Sequence, residues 1–349
     1  MTKVPMNKLP LLASTVLAGC IAMPAFAATP VQQEPGVSGF FQLGVGVVSA
    51  ETNMIATTFG GMAEIGDDTI DDPTDSPDSE TAGIPIVALS VAYTFENKAT
   101  ELFFGSSLED FLQFDFATVL GLRHQVDDVG IFEVAAVGTP LATEVWEDPY
   151  VVGAKRDETD RTTNGIRLQW GAILGSGFDV RVTSREVDID KERSGDALVA
   201  NATITAAEQK LLDRNGDINV IGVVYNWNIA EGRILSVGVN SVEHDLDGDA
   251  MSYDGASVQA TYATALDDRN RLVSNVFVGS YEFDKTNPIY DEKDEMDQVG
   301  LTVTYFRKDA FGFKDWSGNI AVVYADSDHD IDFYDTTAAM VSVGMLRRF

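Results

Sequence analysis

Beyond residue 35 the chain repeats one pattern fourteen times: a short segment in which apolar and polar side chains alternate. The segments are 36–49, 84–95, 100–107, 111–126, 130–141, 162–174, 177–188, 217–229, 233–244, 252–265, 271–284, 297–306, 315–326 and 335–349. A period of two belongs to strands whose two faces meet different surroundings. In 217–229, Ile221, Val223, Tyr225, Trp227 and Ile229 share one face, with Val220, Gly222, Val224, Asn226 and Asn228 on the other. In 162–174, Ile166, Leu168, Trp170, Ala172 and Leu174 oppose Arg167, Gln169 and Gly171.

The connections alternate as well. Residues 51–83, 142–161, 189–216 and 285–296 are long; 96–98, 127–128, 175–176, 230–232 and 267–270 are tight turns. Two connections break the rule, 108–110 being short and 307–314 long. A meander with all long loops on one side is the geometry of a transmembrane barrel, with short periplasmic turns and long extracellular loops. No segment beyond the N-terminus reaches the roughly 18 apolar residues of a membrane helix, whereas about 9 to 11 tilted strand residues cross a bilayer. In lipid every backbone N–H and C=O needs a partner, so such a sheet must close on itself. The expected fold is all-β: one antiparallel up-and-down transmembrane β-barrel of about 14 strands (12–16 in range), spanning residues 28–349, with both termini periplasmic. A soluble β-sandwich also alternates, but does not call for fourteen strands with one-sided long loops.

The N-terminus reads as an address. Lys3 and Lys8 precede the apolar run Leu9–Pro24, and Ala25-Phe26-Ala27 fits a cleavage site, so 1–27 is expected to be a removed signal peptide. Leu17-Ala18-Gly19-Cys20 also fits a lipobox, but the residues after Cys20 stay apolar, unlike a mature lipoprotein. Cleavage after Ala27 removes two lysines and takes the formal charge from −31 to −33. That sign excludes a nucleic-acid partner. One Cys and three scattered His exclude a disulfide scaffold and argue against a His-rich metal centre.

The last segment places Thr337, Ala339, Val341, Val343, Met345 and Phe349 on one face, with Arg347 interrupting it. A terminal aromatic on an alternating strand resembles the assembly signal of Gram-negative outer-membrane barrels, which makes Phe349 the candidate contact for the barrel assembly machinery. Trp170, Trp227, Tyr305 and Trp316 fall near periplasmic strand ends, where an aromatic girdle belongs. Porins are the broad resemblance. A narrower one rests on Trp146-Glu147-Asp148-Pro149-Tyr150, Gly175-Ser176-Gly177-Phe178, Asp247-Gly248-Asp249-Ala250-Met251-Ser252, Asn287-Pro288-Ile289 and Asp332-Phe333-Tyr334-Asp335. On these the chain resembles an uncharacterised family of proteobacterial outer-membrane proteins known as a domain of unknown function. The resemblance implies fold and location, and carries over no functional residue.

Pore lining sets selectivity. The strand phase points Gln42, Gly44, Gly46, Ser90, Asp115, Arg123, Glu133, Arg167, Gln169, Arg181, Arg185, Ser257, Gln259 and Thr302 inward. Arg167, Arg181 and Arg185 form a candidate positive ladder, opposed by Asp115 and Glu133 across the lumen. The plainer alternative is that these residues solvate or plug the interior. Loop 51–83 carries nine acidic residues and no Lys or Arg, a pattern of solvated, self-repelling loops that attract cations to a mouth. Asp245, Asp247 and Asp249 have D-x-D spacing suited to Ca²⁺ or Mg²⁺, as do Asp326, Asp328 and Asp330, but neither completes an EF-hand. No other cofactor is implied.

His244 and His329 sit at extracellular strand ends beside Asp245 and Asp328, a pairing that a rim hydrolase would use and that an exposed ion pair also explains. Residues 204–213 read as a short helix, either constricting the lumen or capping the mouth. The expected function is therefore a non-enzymatic, porin-like channel for passive diffusion of small solutes in the Gram-negative outer membrane. Its partners would be lipid, lipopolysaccharide and, in the manner of trimeric porins, further copies of itself. A non-conducting barrel that binds ligands through its loops is the runner-up.

Overall fold

The computed structural model describes residues 30–32, 34–58, 61–74, 76–110, 112 and 115–349; the signal segment 1–27 and Cys20 lie outside them. The strands are β1 (Gly36–Glu51), β2 (Ile55–Thr58), β3 (Ala63–Glu64), β4 (Ser79–Thr94), β5 (Thr100–Asp110), β6 (Asp115–Val126), β7 (Gly130–Gly138), β8 (Thr143–Trp146) and β9 (Glu158–Gly171). They continue as β10 (Phe178–Ile189), β11 (Gly216–Ala230), β12 (Arg233–Leu246), β13 (Tyr253–Ala265), β14 (Asn270–Phe283), β15 (Glu295–Lys308), β16 (Trp316–His329) and β17 (Thr336–Arg348). Two short helices, α1 (Asp196–Ala200) and α2 (Ala206–Gln209), lie between β10 and β11.

Fourteen of these strands close an antiparallel barrel. β1 pairs with β4, the wall continues through β5, β6, β7 and β9 to β17, and β17 pairs back onto β1. β2, β3 and β8 are extra: β8 pairs with the outer end of β9, and β2 lies between β8 and β3. All fourteen expected segments are barrel strands, displaced by a few residues at their ends.

The wall sorts its side chains as a bilayer demands. Leu43, Val45 and Val47 are 53, 64 and 54% exposed, while the alternate Gln42 and Val48 are buried. Val341 and Val343 of β17, and Ile320, Val322 and Tyr324 of β16, continue this outer apolar band. Closure leaves no sheet edge in lipid. At the tight-turn ends of the strands aromatic rings pair edge-on or stacked: Phe41 with Trp316 (5.3 Å), Phe132 with Trp170 (5.7 Å), Phe178 with Tyr225 and Tyr225 with Trp227 (4.5 Å each). Such rings suit the boundary between lipid and water. Arg347, on the lipid-facing side of β17, lies 6.0 Å from the Trp316 ring, its charge beside the aromatic girdle.

Side chains close the tight turns. Asn97 Oδ1 accepts the N–H groups of Ala99 and Thr100, and Asp267 Oδ1 accepts those of Arg269 and Asn270. Asn and Asp occupy such turns because their side chains stand in for a backbone acceptor. At the seam, Gly39 and Phe349 exchange two backbone hydrogen bonds of 3.0 Å. A Cβ on Gly39 would lie 2.1 Å from the Ser90 carbonyl oxygen, so the chain needs glycine there.

Loop 51–83, expected as a solvated extracellular loop, divides in two. Its apolar residues turn inward: all of β2 is buried, and Ile55, Ala63 and Ile65 pack on Val48, Ile84, Ile86, Val323 and Met340 of the inner wall. Its acidic residues Asp68, Asp71, Asp72 and Asp78 stay exposed. The hydrophobic effect drives the division: turning inward takes Met54-Ile55-Ala56 out of water, against the inner wall and, for Met54, the cap core. The constriction therefore comes from this loop. Segment 204–213 contributes α2 and a following turn to a cap over the mouth, where Ile204 and Leu212 are buried with Leu198 of α1.

Candidate functional site: the plugged lumen

Three layers stack along the barrel interior: a charged lower ring, the apolar plug, and the cap. In the lower ring Arg123 sits between two carboxylates, 2.8 Å from Glu101 and 2.9 Å from Glu133, all three buried. Val31, N-terminal to the barrel, is also buried, and the Gln32 N–H points at Glu101 Oε2 at 3.5 Å. Arg181 donates to Gln169 Oε1 at 3.1 and 3.0 Å, and Arg167 to Thr183 Oγ1 at 3.2 Å. Nearer the loop end of the barrel, where β6 begins, Arg185 is in direct contact with Asp115, which also accepts from Thr163 Oγ1 at 3.1 Å.

All five residues expected to line the pore thus lie on the inner wall, but both acids are paired locally, Asp115 with Arg185 and Glu133 with Arg123. β7 ends at Gly138, which brings the start of β6 within reach of β9 and β10. Asp115 and Arg185 consequently touch instead of facing each other across the lumen, and Glu133 belongs to Arg123. Alternation alone does not single out Glu101; its place opposite Arg123 on β5 follows from the register Glu101↔Arg123.

The plug is fastened by Arg156, whose side chain is fully buried. Its guanidinium lies 4.3 Å from the Trp146 ring centre and donates to the carbonyls of Asn53 (3.0 Å), Pro149 (3.2 Å) and Asp67. Burial pulls its pKa down to about 10, against the opposing influence of Asp67 and Asp68, so it remains charged at neutral pH. Thr57 Oγ1 donates to Glu144, Lys155 reaches Asp68 at 2.8 Å, and Tyr290 Oη donates to the Pro73 carbonyl at 2.7 Å. Burial raises the Asp67 carboxyl above its usual range, helped by Glu80 and Asp78.

The cap gathers most of the segments that carry the family resemblance. Asp148 accepts the N–H groups of Tyr150, Gly195 and Ala197, fixing the start of α1. Glu147 takes Lys191 at 2.6 Å and Arg193 at 3.3 Å. Tyr150 Oη lies 2.7 Å from Tyr334 Oη, which in turn accepts from Asn287 Nδ2 at 2.7 Å. Met251 and Phe333 complete this core. Burial pushes the phenols of Tyr150 and Tyr334 above their ordinary pKa, so both stay protonated.

Between plug and cap lies a cavity of about 120 Å³. Both candidate histidines face it, with different partners from those expected. His244 stacks on Tyr253 (4.1 Å between ring centres), with Nε2 3.1 Å from the phenol oxygen. His329 Nδ1 lies 2.7 Å from Asp294 Oδ2, and its Nε2 lies 3.3 Å from Ser327 Oγ. Neither uses the neighbouring acid, Asp245 or Asp328, because adjacent strand residues point to opposite faces. Asp249 is bonded to Lys285 at 2.5 Å. Among the described residues, no three His, Cys, Asp or Glu side chains gather as a metal site, so Asp245, Asp247 and Asp249 are not brought together.

No curated protein is similar in sequence. Similar solved structures include the outer-membrane channel DcaP of Acinetobacter baumannii, with 9% identity, 90% of this chain and 98% of that one covered, and a TM-score of 0.42. A FadL homologue of Pseudomonas aeruginosa has 10% identity, 95% and 97% coverage and a TM-score of 0.45. The anion-selective porin from Comamonas acidovorans has 9% identity, 90% and 99% coverage and a TM-score of 0.38. A family described as "Protein of unknown function (DUF2860)" matches residues 36–347, nearly the whole barrel, and the chain belongs to that family.

Proposed function

We propose that the protein is an outer-membrane channel for small solutes, held shut at rest by the plug formed from residues 52–58 and 63–65. The observation that carries this reading is the chemistry of the inner wall. Gln42 Oε1, Asn240 Oδ1, Gln259 Nε2, Asn275 Oδ1, Thr304 Oγ1, Asn319 Nδ2 and Ser342 Oγ are buried and find no hydrogen-bond partner among the described residues. They come from one continuous half of the wall, β12 to β17 and β1. Buried polar groups are almost always hydrogen-bonded, by protein or by water. A wall built this way belongs to a hydrated lumen, whereas a barrel meant to be solid would fill it with apolar side chains.

Charge supports a preference for cations. The lumen's carboxylates and arginines largely neutralise one another, while exposed acids ring the mouth and concentrate positive solutes there. The apolar outer band fits outer-membrane lipid, and β17, ending beside Phe349, is the strand offered to the assembly machinery.

Conductance of the purified, heat-modifiable barrel in a planar bilayer under a salt gradient tests the proposal. Open steps with a cation-selective reversal potential are expected. A folded barrel that stays silent, even with the plug clamp removed, overturns the channel and leaves ligand binding at the cap.

A further inference from the structure

We propose that Ser327, His329 and Asp294 form a serine-hydrolase triad inside the capped lumen, acting on carboxylic esters with a small apolar acyl group. The three residues come from two adjacent hairpin ends. Ser327 and His329 are two positions apart on β16 and so share the inner face, while Asp294 immediately precedes β15. Ser327 and Asp294 are buried, and the His329 side chain nearly so.

The hydrogen bonds run in the order a triad requires. Asp294 accepts from His329 Nδ1 at 2.7 Å, and its second oxygen accepts the Ile331 N–H at 3.2 Å, which fixes the carboxylate. A carboxylate at Nδ1 selects the tautomer with its proton there, leaving Nε2 as a base. That Nε2 is the atom 3.3 Å from Ser327 Oγ. The His329 backbone N–H is held separately, by Asp335 Oδ1 at 2.9 Å, so the ring is positioned from both sides.

The surroundings suit an ester. Ser327 and His329 line the cavity, whose lining also includes the apolar side chains of Met54, Ile55, Leu112 and Met251. Gln298, paired with Ser327 across β15 and β16, places Nε2 3.5 Å from the Ser327 hydroxyl. A side-chain amide beside the nucleophile is a donor for a developing oxyanion. A purely structural Asp–His latch between two hairpins would need neither a base nitrogen facing a serine nor a cavity beyond it.

The reaction balances within these groups. His329 Nε2 takes the Ser327 hydroxyl proton as Oγ bonds to the ester carbonyl carbon. The C–O bond to the alcohol then breaks, and the alcohol leaves with the proton from His329. Water adds to the acyl-serine, with His329 accepting and returning a proton, and the carboxylic acid departs. Ser327 and His329 are the catalytic residues; Asp294 positions His329.

The test is labelling of the heat-modifiable barrel with a small fluorophosphonate, read by intact mass and peptide mapping, alongside hydrolysis of p-nitrophenyl butyrate. One adduct on Ser327 is expected, absent from Ser327→Ala and slowed by about 100-fold or more in His329→Gln. Asp294→Asn, which can donate to Nδ1 and so favours the wrong tautomer, is expected to slow labelling while heat modifiability persists. Labelling that appears only in Arg156→Ala, with the plug unclamped, supports the triad and adds that the plug controls access. No adduct in either the native chain or Arg156→Ala overturns the proposal, as does labelling whose rate ignores His329→Gln.

Discussion

The Arg156 guanidinium sits over Trp146, 4.3 Å from its ring centre, and from there reaches the backbone carbonyls of Asn53 and Asp67 on the plug. One side chain of loop 142–157 therefore holds both ends of the segment that fills the upper lumen. Guanidinium suits this position because it is planar, stacks on indole and offers several donors at once. Hydrogen bonds to a charged group contribute roughly 1.5–3 kcal/mol each. Losing one such bond shifts a closed–open equilibrium by about 10- to 150-fold. Arg156→Ala is expected to raise open probability in planar bilayers by at least the lower figure. Arg156→Lys, with charge but no plane, should fall between; closed traces identical to the native chain would remove the clamp.

Barrel, strand phase and girdle were legible because each follows from a period of two and from where the long connections fall. The plug was not. Its signals were present: Met54-Ile55-Ala56 in a loop otherwise acidic, and segments such as Ile84-Pro85-Ile86-Val87-Ala88-Leu89 and Ile320-Ala321-Val322-Val323 that are apolar on both faces. A strand facing lipid outside and a polar lumen inside has no use for a second apolar face. Ile84, Ile86, Ala321 and Val323 are buried against the plug. The Asp294–His329 pair was hidden for another reason. The two are far apart in sequence, and each histidine has a nearer acid, Asp245 or Asp328, that the strand points to the opposite face.

A short epitope inserted between Asp72 and Pro73 should reach antibody on whole cells. Asp72 is exposed and, among the described residues, its hydrogen bonds run to Thr74 within the same loop, so no barrel register depends on the site. The Tyr290–Pro73 bond is the contact at risk, and it fastens the loop rather than the wall. Heat modifiability is expected to persist. Detection only after permeabilisation would invert the topology and place the cap in the periplasm.

The seam between β1 and β17 closes with two backbone hydrogen bonds between Gly39 and Phe349. Deleting Phe349 removes both along with its ring, which packs 3.1 Å from where a Gly39 Cβ would stand. Less folded barrel in the outer membrane is expected, scored as the heat-modifiable fraction. Gly39→Val should do the same by a different route, since its Cβ would collide with the Ser90 carbonyl. Normal assembly of both variants would show that neither the seam bonds nor the terminal aromatic is needed.

Arg123 neutralises Glu101 and Glu133 at once, so the two acids are held together only by the cation between them. Removing one partner of a buried ion pair costs roughly 3–5 kcal/mol because the other charge is left uncompensated. Here Arg123→Ala leaves two like charges in one layer of the lower lumen. The expected result is a large drop in the urea midpoint of the detergent-folded barrel. If the cost comes from the orphaned carboxylates and not from lost packing on Phe103, 4.4 Å from the guanidinium, then adding Glu101→Gln and Glu133→Gln should restore most of the stability. Failure of the triple variant to recover would assign the loss to packing. In a conducting preparation the single variant should also strengthen cation preference, since it adds two uncompensated negative charges to the pore wall.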